Sequence, residues 1–242
     1  REAATGAAVV LSMVRDDAAS RTVWFGHDAA AADGAMPAST VHRDGALAGL
    51  GADAIALESS TVTPAWIATL GAAVTARGAT LLDAPVVGSR PQAEAGQLVH
   101  LVGDATAFAR AQPLLAVLGG AAHHVGALGA GATTKLVVNA LFAVQVAAVA
   151  ELLRLGATHG LDRARTVEVL KGAMALMQAG ADAPQFPIEL VVKDLAYAVA
   201  LGEGVPVQPA MTAAAHAVFA AAAAQGLGDR NITAVRLLSS SA

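Results

Sequence analysis

The sequence predicts an α/β fold in which a parallel sheet with flanking helices is followed by an all-helical half. Residues 1–125 alternate short apolar runs with helical stretches, as strand–helix–strand units do. No strand pattern follows Gly126. The 242 residues are 55% hydrophobic but only 3% aromatic, so the core must depend on closely packed, alanine-rich helices. We therefore predict two domains, 1–125 and 126–242.

Four apolar runs in the first half have the length of strands. Each is almost continuously apolar, which is typical of strands buried on both faces of a parallel sheet. The runs are 7–13, 53–57, 79–83 and 98–102.

Helices fit between these runs. Thr63 is a suitable cap and Pro64 a suitable first-turn residue for a helix that we expect to reach about Arg77. Asp104 is a suitable cap for another helix, which ends near Gly119. Strands and helices that alternate in this way form right-handed crossovers over a parallel sheet.

The second half contains only helical patterns. Its first helix, over 133–159, is apolar nearly all round, so we expect a partner subunit to cover it in a homodimer or homotetramer. Three further helices are expected: one capped by Asp162 and ending near Gly172, one over 193–201, and one over 209–225.

Composition and charge argue against several classes of protein. A net charge of −4 without any basic block argues against a nucleic-acid partner, and the absence of cysteine excludes disulfides and thiolate metal sites. The seven histidines show no metal-ligand spacing, so no metal is expected. The longest apolar run, 140–150, is far shorter than the roughly 20 residues that span a bilayer, and the N-terminus lacks a signal-peptide pattern. We expect a cytoplasmic protein without a membrane partner.

Two candidate site segments follow predicted strands, at the sheet edge where open α/β proteins bind ligands. Residues 58–64 offer hydroxyls and the free N–H groups of a helix start, which suit a carboxylate or phosphate. The alternative for this segment is a helix-capping cluster. Residues 83–90 include Gly88, which allows the backbone to approach a ligand closely. The alternative there is an ordinary turn.

Two further candidates are lysines. Lys135 and Asn139 are four residues apart on one face of the apolar helix, and a lysine in such surroundings is costly unless it is paired or functional. Burial would lower its pKa toward the range of acid–base catalysis. The alternative is a lysine whose ammonium extends into water from the helix start. For Lys193 with Asp194, the alternative is a surface ion pair.

Together these segments resemble the β-hydroxyacid dehydrogenase family, which includes 3-hydroxyisobutyrate dehydrogenase and the glyoxylate/succinic semialdehyde reductases. The resemblance covers nearly the whole chain. It rests on Ser-Thr-Val-Thr-Pro at 60–64, Asp-Ala-Pro-Val-Val-Gly-Ser at 83–89, Gly-Ala-Gly-Ala-Thr-Thr-Lys at 129–135 with Asn139, and Phe186 with Lys-Asp-Leu at 193–195.

The resemblance implies a Rossmann-type domain joined to an all-helical domain by one long helix. It also implies NAD or NADP as cofactor, and hydride transfer to or from a small β-hydroxyacid or its aldehyde or keto partner. Lys135 would be the general acid/base, with Asn139 holding Lys135 and the substrate. The substrate carboxylate would bind Ser60, Gly88 and Ser89. The cofactor would contact Met13, Val14, Arg15, Thr61 and Lys193.

This sequence departs from the family pattern in three places. The glycine-rich dinucleotide fingerprint is absent, so we expect roughly 60 residues before Arg1, at about 30 for each strand–helix unit. Val87 stands where the family usually has serine. The segment 171–193 is short, which suggests that a helix is missing around 175–177.

Two other functions remain open. An imine reductase shares the architecture, but such enzymes usually lack a lysine at the position of Lys135. A catalytically silent dimerisation module is the alternative outside enzymes.

Overall fold

The computed structural model describes residues 1–27, 44–179 and 186–238. The chain forms two compact units, Arg1–Ala140 and Leu141–Ala242, and each is described by itself. The division falls inside the long helix, further along the chain than the predicted boundary at 125/126. The first unit includes the start of that helix because residues there are hydrogen-bonded to the sheet.

The first sheet of unit one is parallel and has the strand order β1–β2–β3. Its strands are β1 (Val9–Ser12), β2 (Ile55–Glu58) and β3 (Thr80–Asp83). Every residue of β2 is buried, as expected for the central strand of a sheet covered on both faces. The α/β prediction is confirmed for these three strands.

The second sheet contains two strands that the sequence patterns did not predict. It has the order β4–β5–β6, with β4 (Val86–Val87) antiparallel to β5 (Val99–Gly103) and β5 parallel to β6 (Ala121–Gly126). Strand β4 has only two residues, too few to form a pattern. Strand β6 has no fully buried residue and carries two adjacent histidines, so it lacks an apolar run.

Four helices accompany the sheets: α1 (Asp17–Phe25), α2 (Pro64–Thr75), α3 (Arg90–Glu94) and α4 (Ala105–Leu118). The predicted caps are present. Thr63 Oγ1 accepts a hydrogen bond from the N–H of Trp66, and the Asp104 carboxylate accepts two, from Thr106 and Ala107. These caps satisfy backbone donors that a helix start otherwise leaves free.

Apolar clusters cover both faces of the first sheet. On one face, Trp24 and Phe25 of α1 pack with Trp66 and Leu70 of α2, and the ring centroids of Phe25 and Trp66 are 5.5 Å apart. On the other face, residues of β2 and β3 pack with those of α4, including Leu115. The sheet is thus the middle of three layers, so its edges alone are free to carry a site.

Helix α5 (Ala130–Thr158) begins in unit one and continues into unit two. Much of its apolar surface is exposed in the single chain; Val137 is 62% and Phe142 68% exposed. This helix and the helical segment Ala210–Leu227 are long and apolar enough, by length and composition, to cross a membrane. The apolar run 140–150 is part of this 29-residue helix, so the short length of the run does not exclude a membrane span.

Three more helices form unit two: α6 (Arg163–Ala179), α7 (Ile188–Ala200) and α8 (Ala210–Ala222). One expectation is corrected here. Helix α6 does not end near Gly172 but continues through it to Ala179. The residues after Gly172 are alanine, methionine and leucine, which are strong helix formers and propagate the helix past one glycine.

A buried carboxylate joins α5 to α8 within unit two. Glu151 accepts hydrogen bonds from the backbone N–H groups of Met211 and Thr212 and from Thr212 Oγ1, at 2.7, 2.9 and 2.7 Å. Burial alone would raise the pKa of Glu151, but these donors outweigh it and the pKa lies below its usual value. The start of α8 is therefore fixed to α5 by charge-assisted hydrogen bonds.

The first prediction concerns the core between α1, α2 and the sheet. Leu70 is fully buried there, so Leu70→Ala should lower the free energy of unfolding by about 2–5 kcal/mol. Val117→Ala on α4 is the control, because Val117 is 80% exposed and its truncation should change stability by about 0.5 kcal/mol or less. Urea denaturation measures both, and equal effects would contradict the packing described.

Candidate active site

The carboxyl edge of the first sheet places three polar residues side by side. Ser12, Glu58 and Asp83 end β1, β2 and β3, and the register pairs Ser12 with Glu58 and Glu58 with Asp83. All three side chains are buried. The predicted cofactor loop, 13–15, begins directly after Ser12, and the predicted substrate segments begin at Glu58 and Asp83, so all three share one edge of the sheet.

Ser60 is the predicted substrate residue that the structure ties most directly to the cofactor loop. The N–H of Val14 donates to Ser60 Oγ at 2.7 Å, and the Ser60 side chain is buried. The N–H of Ser60 donates to Glu58 Oε1 at 2.9 Å. Because Val14 occupies a lone pair of the hydroxyl, its proton remains free to donate to a substrate oxygen.

A second link joins the same two segments. Both the N–H and the hydroxyl of Thr63 donate to the carboxylate of Asp17, at 2.9 and 2.5 Å. Asp17 is the first residue of α1, and Thr63 caps α2. The chain after β1 and the chain after β2 are therefore held together at both the loops and the helix starts.

A buried polar network holds this arrangement from beneath. Glu58 Oε2 accepts hydrogen bonds from Ser20 Oγ at 2.6 Å and from Trp24 Nε1 at 2.7 Å. Trp66 Nε1 in turn donates to Ser20 Oγ at 2.8 Å. With the N–H of Ser60, Glu58 has three donors, which a fully buried carboxylate needs to offset its lost hydration.

The remaining predicted cofactor contacts in unit one are exposed or half-buried. The Met13 side chain is 56% exposed, and Thr61 is half-buried. Arg15 is exposed, and its Nε donates to Asp16 Oδ2 at 2.7 Å. The pKa of Asp16 lies below its usual value, first because the Ala19 N–H donates to it and then because of Arg15. Asp16 thereby caps α1 beside the cofactor loop.

The two predicted substrate residues after β3 are a glycine in a special backbone conformation and a serine that is hydrogen-bonded to α3. Gly88 has a φ of +128°, a conformation that favours glycine, and a Cβ there would meet Leu98 Cδ2 at 2.9 Å. Ser89 is exposed, but its N–H and its hydroxyl both lie 2.9 Å from Gln92 Oε1. The Ser89 hydroxyl is thus directed toward α3.

Asp83 joins the sheet edge to the start of α5. Its side chain is fully buried, and its two oxygens accept hydrogen bonds from the N–H groups of Gly129 and Ala132, each at 3.0 Å. Burial raises the pKa of Asp83 even though these donors oppose the rise. Sequence reasoning included Asp83 in a candidate segment without giving it a role.

Lys135 and Asn139 follow on α5. The Lys135 side chain is half-buried, and this burial lowers its pKa from the usual 10.5. Asn139 is exposed. A lysine of reduced basicity on the surface of a helix anchored to the sheet edge is suited to proton transfer.

Lys193 lies in unit two. Its side chain is exposed, its Nζ is 3.0 Å from Asp194 Oδ1, and the Nζ also lies 5.8 Å from the centroid of the Tyr197 ring. The structure thus shows the surface ion pair that was the alternative reading of Lys193. Over residues 1–27, 44–179 and 186–238, no group of three or more potential metal ligands occurs.

Comparisons with known proteins identify the family. The family model for the NAD binding domain of 6-phosphogluconate dehydrogenase matches residues 1–126, and the model for NAD-binding of NADP-dependent 3-hydroxyisobutyrate dehydrogenase matches residues 129–238. The chain belongs to the β-hydroxyacid dehydrogenase family, which confirms the resemblance drawn from its motifs and the Rossmann-type fold.

Two curated relatives show the extent of the similarity. The 2-(hydroxymethyl)glutarate dehydrogenase of Eubacterium barkeri is 34% identical over 79% of this chain and 67% of its own length. The 3-hydroxyisobutyrate dehydrogenase of Pseudomonas aeruginosa is 37% identical over 73% of this chain and 65% of its own length. The chain therefore spans about two thirds of the length of these relatives.

A solved structure supports the fold alone. The imine reductase of Myxococcus stipitatus, in complex with NADP+, has a TM-score of 0.77 over 98% of this chain and 81% of its own. Its sequence identity is 17%, so this likeness concerns the backbone arrangement and not the reaction.

The second prediction concerns the buried network. In Glu58→Gln an amide NH2 replaces one carboxylate oxygen and faces a donor, so the free energy of unfolding should fall by about 1–3 kcal/mol. Glu94→Gln is the control. Glu94 forms an exposed pair with Arg90 on α3, and its loss should cost about 0.5 kcal/mol or less. Urea denaturation measures both variants. Equal losses in the free energy of unfolding would contradict the network.

Proposed function

We propose that the intact protein is an NAD(P)-dependent dehydrogenase or reductase that acts on a small β-hydroxyacid or its aldehyde or keto partner. The observation that carries this proposal is Lys135, a half-buried lysine with a lowered pKa. It lies one helical turn beyond the point where α5 is hydrogen-bonded to the carboxyl edge of the sheet. We also propose that the enzyme is soluble and lies in the cytoplasm.

The residues at the sheet edge fit the nicotinamide end of the cofactor. The exposed Met13 offers an apolar surface directly after β1, and Val14, Arg15 and Thr61 complete this side of the edge. We assign Lys193, from unit two, to the same cofactor. When bound, NAD or NADP accepts or supplies the hydride, while the protein contributes orientation and a proton.

The substrate carboxylate is assigned to Ser60, Gly88 and Ser89. The Ser60 hydroxyl is the best supported contact, because it accepts from the N–H of Val14 and keeps its own proton to donate. The backbone at Gly88 can approach a ligand closely. The names of the two curated relatives describe acids with a hydroxymethyl group on the carbon beside the carboxylate, and we propose a substrate of this class.

Lys135 is assigned the proton transfer. Oxidation of the hydroxyl requires a neutral amine to accept its proton, and reduction of the carbonyl requires an ammonium group to return one. Asn139, four residues later on the same helix face, is assigned to hold Lys135 and the substrate oxygen. Lysine in this place favours the hydroxyacid reaction over an imine reduction.

We also propose that the enzyme is a homodimer or homotetramer. Helix α5 leaves Val137, Leu141 and Phe142 largely exposed in the single chain. Covering such a surface with a second subunit removes apolar area from water, the main favourable term in stable association.

The third prediction tests the roles of the two lysines in the intact protein. Lys135→Ala should lower kcat by about 10²- to 10⁴-fold and leave cofactor affinity nearly unchanged, because it removes only the proton donor or acceptor. Lys193→Ala should weaken cofactor binding and have a smaller effect on kcat. Steady-state kinetics with 3-hydroxyacids, aldehydes and a cyclic imine provide the measurement.

The assignment of Lys135 would be refuted if Lys135→Ala kept near wild-type kcat on the hydroxyacids and aldehydes. Turnover of the imine alone by the wild-type protein would support the imine reductase alternative.

The fourth prediction concerns pH. Because burial lowers the pKa of Lys135 below 10.5, kcat for alcohol oxidation should rise with pH through a midpoint below that value. In the reduction direction, kcat should fall over the same range, since the ammonium group is then the required form. Both the rise and the fall of kcat should disappear from the pH profiles of Lys135→Ala. If either persists in that variant, the titration belongs to another group.

A further inference from the structure

Asp83 is a buried carboxylate that no assigned role accounts for. It ends strand β3, and its carboxylate oxygens accept hydrogen bonds from the N–H groups of Gly129 and Ala132. These donors belong to the turn before α5 and to the first turn of α5 itself. A carboxylate at this place also interacts favourably with the positive end of the helix dipole.

The space around Asp83 is closed by two glycines. A Cβ on Gly103 would collide with Asp83 Oδ1, and one on Gly131 would come within 2.8 Å of Asp83 Oδ2. Gly129 has a φ of +90°, so the turn that aims its N–H at the carboxylate also favours glycine. The close packing therefore holds the carboxylate in one position, and its hydrogen bonds place the start of α5 relative to the sheet.

The anchor lies close to Lys135 along the helix. Ala132 and Lys135 are three residues apart, slightly less than one turn, so a tilt or rotation of the first turn moves the lysine with it. Asp83 is also the register partner of Glu58, which holds the N–H of Ser60. One sheet edge therefore fixes both the proposed carboxylate contact and the helix that carries the proposed acid/base.

We propose that Asp83 is a positioning residue that sets the place of Lys135 by anchoring the first turn of α5 to the sheet. This inference rests on the proposed function, since it gives Lys135 the proton transfer. Asp83 is not assigned a contact with substrate or cofactor. It affects the reaction by fixing the position of helix α5, which carries Lys135. Misplacement of a catalytic group by about 1 Å can lower a rate by about 100-fold.

The test compares two aspartates that accept the same kind of hydrogen bonds. Asp83→Asn keeps the side-chain volume but removes the charge and one acceptor oxygen. Asp104→Asn is the matched control, because Asp104 accepts from Thr106 and Ala107 at 2.9 and 3.0 Å at the start of α4, a helix without proposed site residues. Both variants are made in the intact protein, alone and combined with Lys135→Ala.

We expect the two variants to have similar effects on stability but different effects on the reaction rate. Both variants should lower Tm, whereas only Asp83→Asn should lower kcat, by about 10- to 100-fold, with the Kd for NADPH or NADH within about twofold of wild type. In the Lys135→Ala background, Asp83→Asn should change kcat by less than about twofold, because a residue that acts through Lys135 has nothing left to position.

Four outcomes overturn the proposal. If Asp83→Asn and Asp104→Asn affect kcat equally while Lys135→Ala is inactive, the positioning role fails and the proposed function stands. If the kcat effect of Asp83→Asn is the same with and without Lys135, Asp83 acts by another route. If Lys135→Ala keeps wild-type kcat, the proposed function fails and the positioning role with it. Asp83→Ser, which keeps one acceptor, replaces Asp83→Asn if the latter does not fold, and failure of both to fold makes Asp83 a folding residue only.

Discussion

The arrangement of unit one depends on the carboxylate of Glu58, which is completely buried at the end of the central strand. An ionised carboxylate without partners in such a place would cost several kcal/mol. Here its donors come from α1 and from the loop that follows its own strand, and Trp66 extends the network to α2. The requirement to satisfy the polar atoms of one buried side chain therefore fixes two helices and the loop after β2 relative to the sheet.

A second buried carboxylate, Asp83, lies beside Glu58 in the register but is satisfied from a different direction. Both follow Ala56 and Leu81 by two residues, so they project from the face of the sheet that packs against α1 and α2. Glu58 takes its donors from α1 and the Ser60 loop, and Asp83 takes its donors from the start of α5. Two acidic side chains thus share an edge because each has its own set of N–H or O–H donors.

The sequence was sufficient where local signals decide the structure. Strands β1, β2, β3 and β5 are apolar runs, and helices α2 and α4 carry caps that can be recognised from residue type. Strand β4 depends on pairing with β5, and the length of α6 depends on a glycine that did not end the helix. Such features are set by neighbours or by a balance of propensities, and a local pattern does not contain them.

The site shows the same division. Ser60 was a candidate because its segment follows a buried strand at the edge where α/β sheets bind ligands and matches a family motif. Lys135 was a candidate because a lysine in an apolar helix is costly unless it is paired or functional. Glu58, Asp17 and Asp83 could not be given roles, because all but one of the partners described for them lie between 34 and 49 residues away in sequence. Only the folded chain shows that these acids accept hydrogen bonds from backbone N–H groups and side-chain donors.

The network around Glu58 also gives the protein an optical property. The chain has only two tryptophans, and the indole N–H of each is part of this network, Trp24 with Glu58 and Trp66 with Ser20. Both rings are buried, so their fluorescence originates from the apolar layer beneath the Ser60 loop. Emission that moves to longer wavelength would therefore report water entering this layer, and it would do so without any label attached to the protein.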